Sequence, residues 1–174
     1  WNNPAATAAI ISSDGWLNSG DIASIDAQGH VTITGRLKEI IVLSTGEKIP
    51  PADMEAAILR DPLFEQAMLI GEARSYLSVM VILNTAHWQN VVSQYGLDAS
   101  LNTDQQRQQV EEILLDKITE QTSEFPGYAK IRRVALIQEP WNVENGLLTP
   151  TLKLKRAKVL EKYAREVERL YAGH

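Results

Sequence analysis

A tight hairpin signal near the amino end constrains the fold of this chain more than any other feature. The turn residues Asp26-Ala27-Gln28-Gly29 separate two apolar, β-branched segments, which predicts a hairpin from about Asp21 to Thr34. Because a hairpin brings its two ends together, Asp21 and Arg36 should lie close to each other at its open end. A carboxylate can accept hydrogen bonds from hydroxyl groups, and a guanidinium can hold an anion. The two residues therefore form either a ligand-binding pair or a surface salt bridge that closes the hairpin.

The rest of the sequence alternates short apolar strands with amphipathic helices. Strands are predicted at Ile40–Leu43, Gln66–Ile70, Leu77–Leu83 and Ile131–Ile137. Helices are predicted at Ala5–Ile11, between Pro50-Pro51 and Asp61-Pro62, from the capping residue Thr85 to Gly96, after a Thr103/Gln106 capping box, and from about Lys155 onward. This alternation, with one tight strand pair, predicts an α+β fold: a small sheet covered by helices and preceded by the β-hairpin.

Three further expectations concern the helices. The polar stretch Asp98–Gln109 should be a loop that leads into a solvated helix start. His87, one position from the apolar face of its helix, should have a structural role. The last helix should bury Leu160, Tyr163, Val167 and Leu170.

Charge and composition exclude several classes of function. The chain has 174 residues, enough for one domain, and its formal net charge of −5 argues against a nucleic-acid surface. It contains no cysteine, which excludes disulfides, cysteine zinc sites and a thiol nucleophile. His30, His87 and His174 show no metal-ligand spacing, and no apolar run is long enough to span a membrane. We therefore expect no metal site, no nucleic-acid partner and no transmembrane segment in this chain.

Two separated segments carry short motifs. Residues 15–55 contain, in this order, G-W-x-x-S-G-D, D-x-x-G, G-R-x-K-E-I-I and G-x-x-I-P-P-x-x-M-E, and residues 148–156 read LTPTLKLKR. The first set resembles, in the family's order, the motifs of the adenylate-forming superfamily of acyl-CoA synthetases, luciferases and the adenylation domains of peptide synthetases. The second segment is similar to the lysine motif of that family, T-x-[ST]-G-K-[IVL]-x-R. Leu152 stands where that motif usually has glycine. The segments LLTPTLKLKR and FPGYAKIRR look most like the branch that activates long-chain fatty acids.

The resemblance implies a nucleotide site built from three residues. Asp21 falls on the family's aspartate that binds the ribose hydroxyls of ATP and of the acyl-adenylate. Arg36 falls on the arginine that contacts the nucleotide near the ribose and phosphate. Lys153 falls on the adenylation lysine, whose ammonium bridges the attacking carboxylate and the α-phosphate. The alternative for Lys153 is a solvated charge, since it lies in a run of basic residues at 153–158.

The resemblance also implies a lobe that rotates between two half-reactions. Residues 1–37 would be the tail of a large N-terminal adenylation domain and residues 38–174 the small C-terminal lid domain, with Lys38 at the hinge. Thr45 and Gly46 would face the pantetheine arm of CoA after rotation, although turn geometry alone also explains a glycine there. Glu55 is assigned to packing or to the surface, without chemistry.

The implied activity is that of an acyl-CoA synthetase, which makes acyl-AMP and pyrophosphate from a fatty acid and ATP and then a thioester with CoA. Mg²⁺ would be bound mainly by the large N-terminal domain, which we expect to precede Trp1 in the same polypeptide, so that the chain alone is inactive. The expected location is the cytoplasm, either free in solution or peripheral at a membrane. Two alternatives stay open: an acyl-AMP ligase that passes its product to a carrier protein, and a stand-alone, non-catalytic binding lobe.

Overall fold

The computed structural model describes residues 2–97 and 103–172, and within them it contains six α-helices and seven strands. The helices are α1 (Pro4–Ile10), α2 (Pro51–Ile58), α3 (Thr85–Tyr95), α4 (Asp104–Gln121), α5 (Arg156–Lys162) and α6 (Ala164–Tyr171). The strands are β1 (Asp21–Ile25), β2 (Val31–Arg36), β3 (Ile41–Val42), β4 (Lys48–Ile49), β5 (Phe64–Ile70), β6 (Leu77–Leu83) and β7 (Ile131–Leu136). The predicted α+β class is confirmed.

The hairpin of β1 and β2 forms where the sequence predicts it. The strands are antiparallel, and Asp21 lies opposite Arg36. In the turn, the Asp26 carboxylate accepts a hydrogen bond from the Gln28 backbone N–H, and Gly29 has a φ of +86°, which glycine adopts without strain. These local bonds fix the register of the hairpin and therefore the position of the two charged residues at its open end.

A three-stranded sheet of order β5-β6-β7 lies at the centre of the remaining chain. β6 pairs antiparallel with β5 and parallel with β7. Its side chains alternate between two apolar cores, with Leu77, Val79 and Val81 in the first and Met80 and Ile82 in the second. Helices α2, α3 and α4 contribute to the first core, and α5 and α6 to the second. Both faces of the sheet are thus covered, which explains why β6 is apolar at every position except the buried Ser78.

A short 3-10 turn, Leu37–Glu39, links the hairpin to the rest of the chain. The Leu37 N–H donates to the Gly20 carbonyl at 2.8 Å, so the hydrogen bonding of the hairpin continues into the turn. β3 follows and pairs with β4, and α2 then begins at Pro51, where a missing backbone N–H costs little. We call the described residues after this turn, 40–97 and 103–172, the lobe.

The last helical segment differs from the single helix that the sequence predicts. It is broken at Tyr163, whose φ of −106° and ψ of 29° separate α5 from α6. Within α5 the buried side chain is Val159, so Leu160, one position further around the helix, is 38% exposed and its predicted burial is wrong. Val167 and Leu170 are buried as predicted, because α6 presents its own apolar face to the second core. Tyr163 is partly buried against that core.

The start of α3 is also displaced from its prediction. Asn84, rather than Thr85, is the capping residue, and its side-chain oxygen accepts hydrogen bonds from the N–H groups of Ala86 and His87. The His87 side chain lies on the solvent side of the first turn and is exposed, so its predicted structural role is wrong.

The polar stretch at 98–109 is helical from Asp104 onward, while residues 98–102 lie outside the described part of the chain. The predicted Thr103/Gln106 capping box is present and starts the helix. Glutamine and arginine are good helix formers, so the polarity here belongs to an exposed helix face. Of the helices in residues 2–97 and 103–172, none combines the length and apolar character that a membrane span requires.

Candidate functional site

A cleft between the hairpin and the lobe brings together the basic residues that the motifs single out. Its volume is about 690 Å³. It is lined by Ser19, Gly20, Arg36, Lys38, Glu39, Glu55, Lys153, Leu154 and Arg156. Four of these side chains are cations and two are carboxylates, so the walls carry an excess of positive charge. Such a cleft suits an anionic ligand, and it brings Arg36 and Lys38 together with Lys153, which lies far from them in the sequence.

Asp21 and Arg36 form the ion pair that the hairpin register predicts. The Arg36 Nε and an Asp21 carboxylate oxygen are 2.7 Å apart, and the two side chains are 56% and 21% exposed, respectively. Arg36 lines the cleft, whereas Asp21 is not among its lining residues. The salt bridge considered as the simpler alternative is therefore present. A partly exposed pair contributes only about 0–1 kcal/mol, so a ligand could displace it at little cost. Ribose binding by Asp21 stays a prediction.

A compact loop holds the backbone of Lys153. The Thr149 N–H donates to the Lys153 carbonyl at 2.8 Å, and the Lys153 N–H donates to the Thr149 hydroxyl at 3.0 Å. Residues Leu148 and Leu154 on either side form an isolated antiparallel bridge. The Lys153 side chain is exposed, and none of the ion pairs among the described residues includes it. The loop thus fixes the main chain of Lys153 and leaves its ammonium available to the cleft.

Leu152, at the tip of this loop, has a left-handed backbone conformation. Its φ is +60°, its N–H donates to the Thr149 carbonyl at 2.8 Å, and its side chain is exposed. The left-handed region costs an L-residue roughly 1–2 kcal/mol, while glycine enters it freely. The glycine of the family motif therefore has a conformational explanation at this position, and Leu152 departs from the motif while keeping the backbone shape.

We expect Leu152→Gly to raise the free energy of unfolding by about 0.5–1 kcal/mol. The relief of left-handed strain outweighs the greater freedom of glycine in the unfolded chain. Urea unfolding of the wild type and the variant measures the difference. Leu59→Gly is a matched control, since Leu59 is also partly exposed but has a φ of −70°, and it should not gain stability. Destabilisation by Leu152→Gly would show that the side chain itself holds the loop.

The sequence did not predict the ion pair between Glu55 and Arg156 at the floor of the cleft. Glu55 Oε1 accepts hydrogen bonds from the Arg156 Nη1 at 2.6 Å and from the Leu69 N–H at 2.7 Å. Arg156 Nη2 donates to the Leu69 carbonyl at 2.6 Å. Burial raises the pKa of the Glu55 carboxyl, and the charge of Arg156 opposes that shift. The prediction that Glu55 serves packing or the surface misses this ion pair, because its partner Arg156 lies 101 residues away and leaves no local signal.

The turn that contains Thr45 and Gly46 lies outside the cleft. Gly46 has a φ of +95°, and its N–H donates to the Leu43 carbonyl at 2.9 Å, so turn geometry accounts for the glycine. The Thr45 hydroxyl bonds to the Glu47 carboxylate. Both residues are exposed. The structure therefore does not bring this turn together with Lys153, and contact with CoA stays a prediction.

The described residues include no group of three or more histidine, aspartate and glutamate side chains that could hold a metal ion. His30 bonds to Asp26 within the hairpin, His87 is exposed, and His174 lies outside the described residues.

Comparison with known proteins identifies the family. The profile described as the AMP-binding enzyme C-terminal domain matches residues 38–174. Over 182 residues the chain is 30% identical to AEE15, a chloroplastic long-chain-fatty-acid–[acyl-carrier-protein] ligase of Arabidopsis thaliana, and this match covers 99% of the chain and 23% of the relative. Over 173 residues it is 30% identical to the long-chain-fatty-acid–CoA ligase FadD15 of Mycobacterium tuberculosis, covering 98% of the chain and 29% of the relative. The chain thus spans less than a third of either relative.

Comparison with a solved structure supports the same family. The chain matches the A domain of carboxylic acid reductase from Segniliparus rugosus, in complex with AMP and a co-purified carboxylic acid, with a TM-score of 0.82 and 27% identity. The match covers 99% of this chain and 26% of that chain. The chain therefore belongs to the adenylate-forming, AMP-binding enzymes and carries their C-terminal domain.

Proposed function

We propose that this chain carries the C-terminal lobe of a long-chain fatty acid–CoA ligase. The observation that supports this most is that Lys153 and Arg36 line one positively charged cleft. In the first half-reaction, the fatty acid carboxylate attacks the α-phosphorus of ATP, the bond to the bridging oxygen breaks, and pyrophosphate leaves. In the second, the CoA thiolate attacks the acyl carbonyl carbon and AMP leaves.

The residues around the cleft would have distinct roles in adenylation. Asp21 would accept hydrogen bonds from the ribose hydroxyls after releasing Arg36, and Arg36 would bind the nucleotide near the ribose and phosphate. The ammonium of Lys153 would lie between the carboxylate and the α-phosphate, where negative charge accumulates. Mg²⁺, held mainly by the large N-terminal domain, would neutralise charge on the phosphates of ATP.

The second half-reaction would use another surface of the lobe. Rotation about Lys38, in the turn between the hairpin and the lobe, would carry Lys153 away from the adenylate. The exposed Thr45–Gly46 turn, which lies outside the adenylation cleft, would then face CoA. Such a rotation would explain why one small lobe carries two separate sets of candidate residues.

A large N-terminal domain would cover the apolar surface of the hairpin. Ile25, Val31 and Ile33 lie on one face of the hairpin and are 70%, 64% and 66% exposed, and Trp16 is 76% exposed. A two-stranded hairpin is marginally stable by itself, and such side chains favour burial against another surface. The relatives are also more than three times as long as this chain. These facts favour a catalytic partner domain in the same polypeptide over a stand-alone binding lobe.

The test is to offer ATP and palmitate to the full-length polypeptide with either CoA or a carrier protein bearing pantetheine. We expect palmitoyl-CoA, AMP and pyrophosphate, with the 174-residue chain alone, the control, giving none of these products. The chain alone supplies only part of the binding pocket, so the cost of immobilising ATP is poorly offset. Transfer to the carrier alone, as the name of one relative indicates for that protein, would favour the acyl-AMP ligase. Turnover by the chain alone would refute the proposal of a partner domain.

A further inference from the structure

The outer edge of β5 is closed at Leu69 by two side chains instead of a neighbouring strand. β5 is an edge strand, paired only with β6 in the three-stranded sheet. At Leu69 the N–H donates to the Glu55 carboxylate at 2.7 Å, and the carbonyl accepts from the Arg156 guanidinium at 2.6 Å. The Glu55–Arg156 pair thus provides the acceptor and the donor that a paired strand would provide. It joins α2, β5 and the start of α5 at one point.

This contact lies at the end of the segment that carries Lys153. Arg156 is the first residue of α5 and follows Lys153 by three residues. Between them, the Lys155 N–H donates to the Leu147 carbonyl at 2.9 Å. The loop is therefore held on one side by Thr149 and on the other by the guanidinium of Arg156. Movement of Arg156 along the edge of β5 would move Lys153 with it.

The two charges depend on each other. The side chains of Glu55 and Arg156 are only 15% and 20% exposed, and burial raises the pKa of the Glu55 carboxyl. A buried ion pair is weak evidence for stability, since both ions lose hydration, and its best-attested use is to fix one arrangement among alternatives. Both terminal nitrogens of Arg156 already donate to protein acceptors. Two of the five N–H donors of Arg156 thus bind protein acceptors, and these contacts fix the plane of its guanidinium against β5.

We propose that Glu55 and Arg156 are positioning residues that fix the loop carrying Lys153 against the edge of β5 and thereby place the Lys153 ammonium for adenylation. The inference rests on the proposed function, because it presumes that Lys153 acts in that half-reaction. Only arginine meets both acceptors at once, since its planar fork reaches the Glu55 carboxylate and the Leu69 carbonyl in fixed directions. A lysine at this position keeps the charge but not the fork.

The test is Arg156→Lys in the full-length polypeptide, with each half-reaction measured separately. Adenylation should fall about tenfold to a hundredfold, because a shift of about 1 Å in a reacting group can cost that much. Thioester formation from supplied palmitoyl-adenylate should stay within about twofold of wild type, since Lys153 is not used in that step. Glu55→Gln, which keeps an acceptor for Leu69, should lower adenylation in the same direction but less. Arg60→Lys is the matched control, because Arg60 pairs with Glu124 at 2.8 Å on the exposed surface, and both rates should be unchanged.

A double-mutant cycle with Lys153→Ala separates positioning from general stability. If Arg156 acts through Lys153, adding Arg156→Lys to Lys153→Ala should cause no further loss of adenylation. Multiplicative losses, or an equal fall of both half-reactions in Arg156→Lys, would overturn the inference while leaving the proposed function intact. Adenylation at the wild-type rate in Lys153→Ala would instead refute the role of Lys153 in the proposed function, and the inference would fall with it.

Discussion

Replacing Lys153 with alanine in the full-length polypeptide should slow acyl-adenylate formation by about 10²–10³-fold, or about 3–4 kcal/mol, and leave thioester formation nearly unchanged. In adenylation a carboxylate approaches the phosphates of ATP, and the ammonium of Lys153 offsets the negative charge that gathers there. After rotation of the lobe, Lys153 would be in solvent, where a lone ammonium contributes little. Pyrophosphate release from ATP and palmitate measures the first step, and CoA attack on supplied palmitoyl-adenylate measures the second.

Lys155→Ala and Lys158→Ala are the controls for this prediction. Both residues belong to the same basic run as Lys153, but neither lines the cleft between the hairpin and the lobe. If the basic run is only a solvated face, the three lysines are equivalent. Small and equal effects of the three substitutions would therefore favour that interpretation and remove the catalytic role of Lys153.

Lys38→Pro should have the opposite effect to Lys153→Ala: it should slow thioester formation and spare adenylation. Proline fixes φ near −65°, so it restricts the backbone rotation that the proposed hinge needs. Because Arg36 and Lys153 line one cleft in this structure, locking the present arrangement should preserve adenylation. Thioester formation should fall by on the order of tenfold or more, as expected when a required domain rotation is blocked. The two rates are measured as for Lys153→Ala.

Two comparisons make the hinge experiment specific. Lys38→Ala removes the same side chain but leaves φ free, so thioester formation should fall much less than in Lys38→Pro. Proline also restricts the residue before it, Leu37, which lies in the same 3-10 turn, so thermal unfolding of both variants must be compared. Wild-type rates of both half-reactions in Lys38→Pro would place the hinge elsewhere.

The features that the sequence predicted correctly depend on local signals. The hairpin follows from the Asp26–Gly29 turn and the flanking β-branched residues, and its register places Asp21 opposite Arg36. β6 follows from the apolar segment Leu77–Leu83, in which Ser78 is the one polar residue, since both of its faces are buried. The capping box at Thr103 and Gln106 likewise acts within four consecutive residues.

The features that the sequence did not predict depend on distant contacts or on one backbone angle. Glu55 and Arg156 meet across 101 residues, and no periodicity connects them. The positive φ of Leu152 could not be predicted from the residue type, because leucine rarely adopts a positive φ. The spacing of Leu160 and the apolar residues after it fits one continuous helix, but the break at Tyr163 changes the helical phase and leaves Leu160 exposed.

The measurement that tests the central claim most directly is exchange of labelled pyrophosphate into ATP by the full-length polypeptide, with no CoA or carrier protein present. Exchange reports reversible formation of an acyl-adenylate and does not require the second half-reaction. We predict exchange that depends on the fatty acid, needs no thiol, and falls about 10²–10³-fold in Lys153→Ala. Absence of exchange by an active enzyme, or exchange at an equal rate without any carboxylic acid, would contradict the assignment of this cleft to carboxylate adenylation.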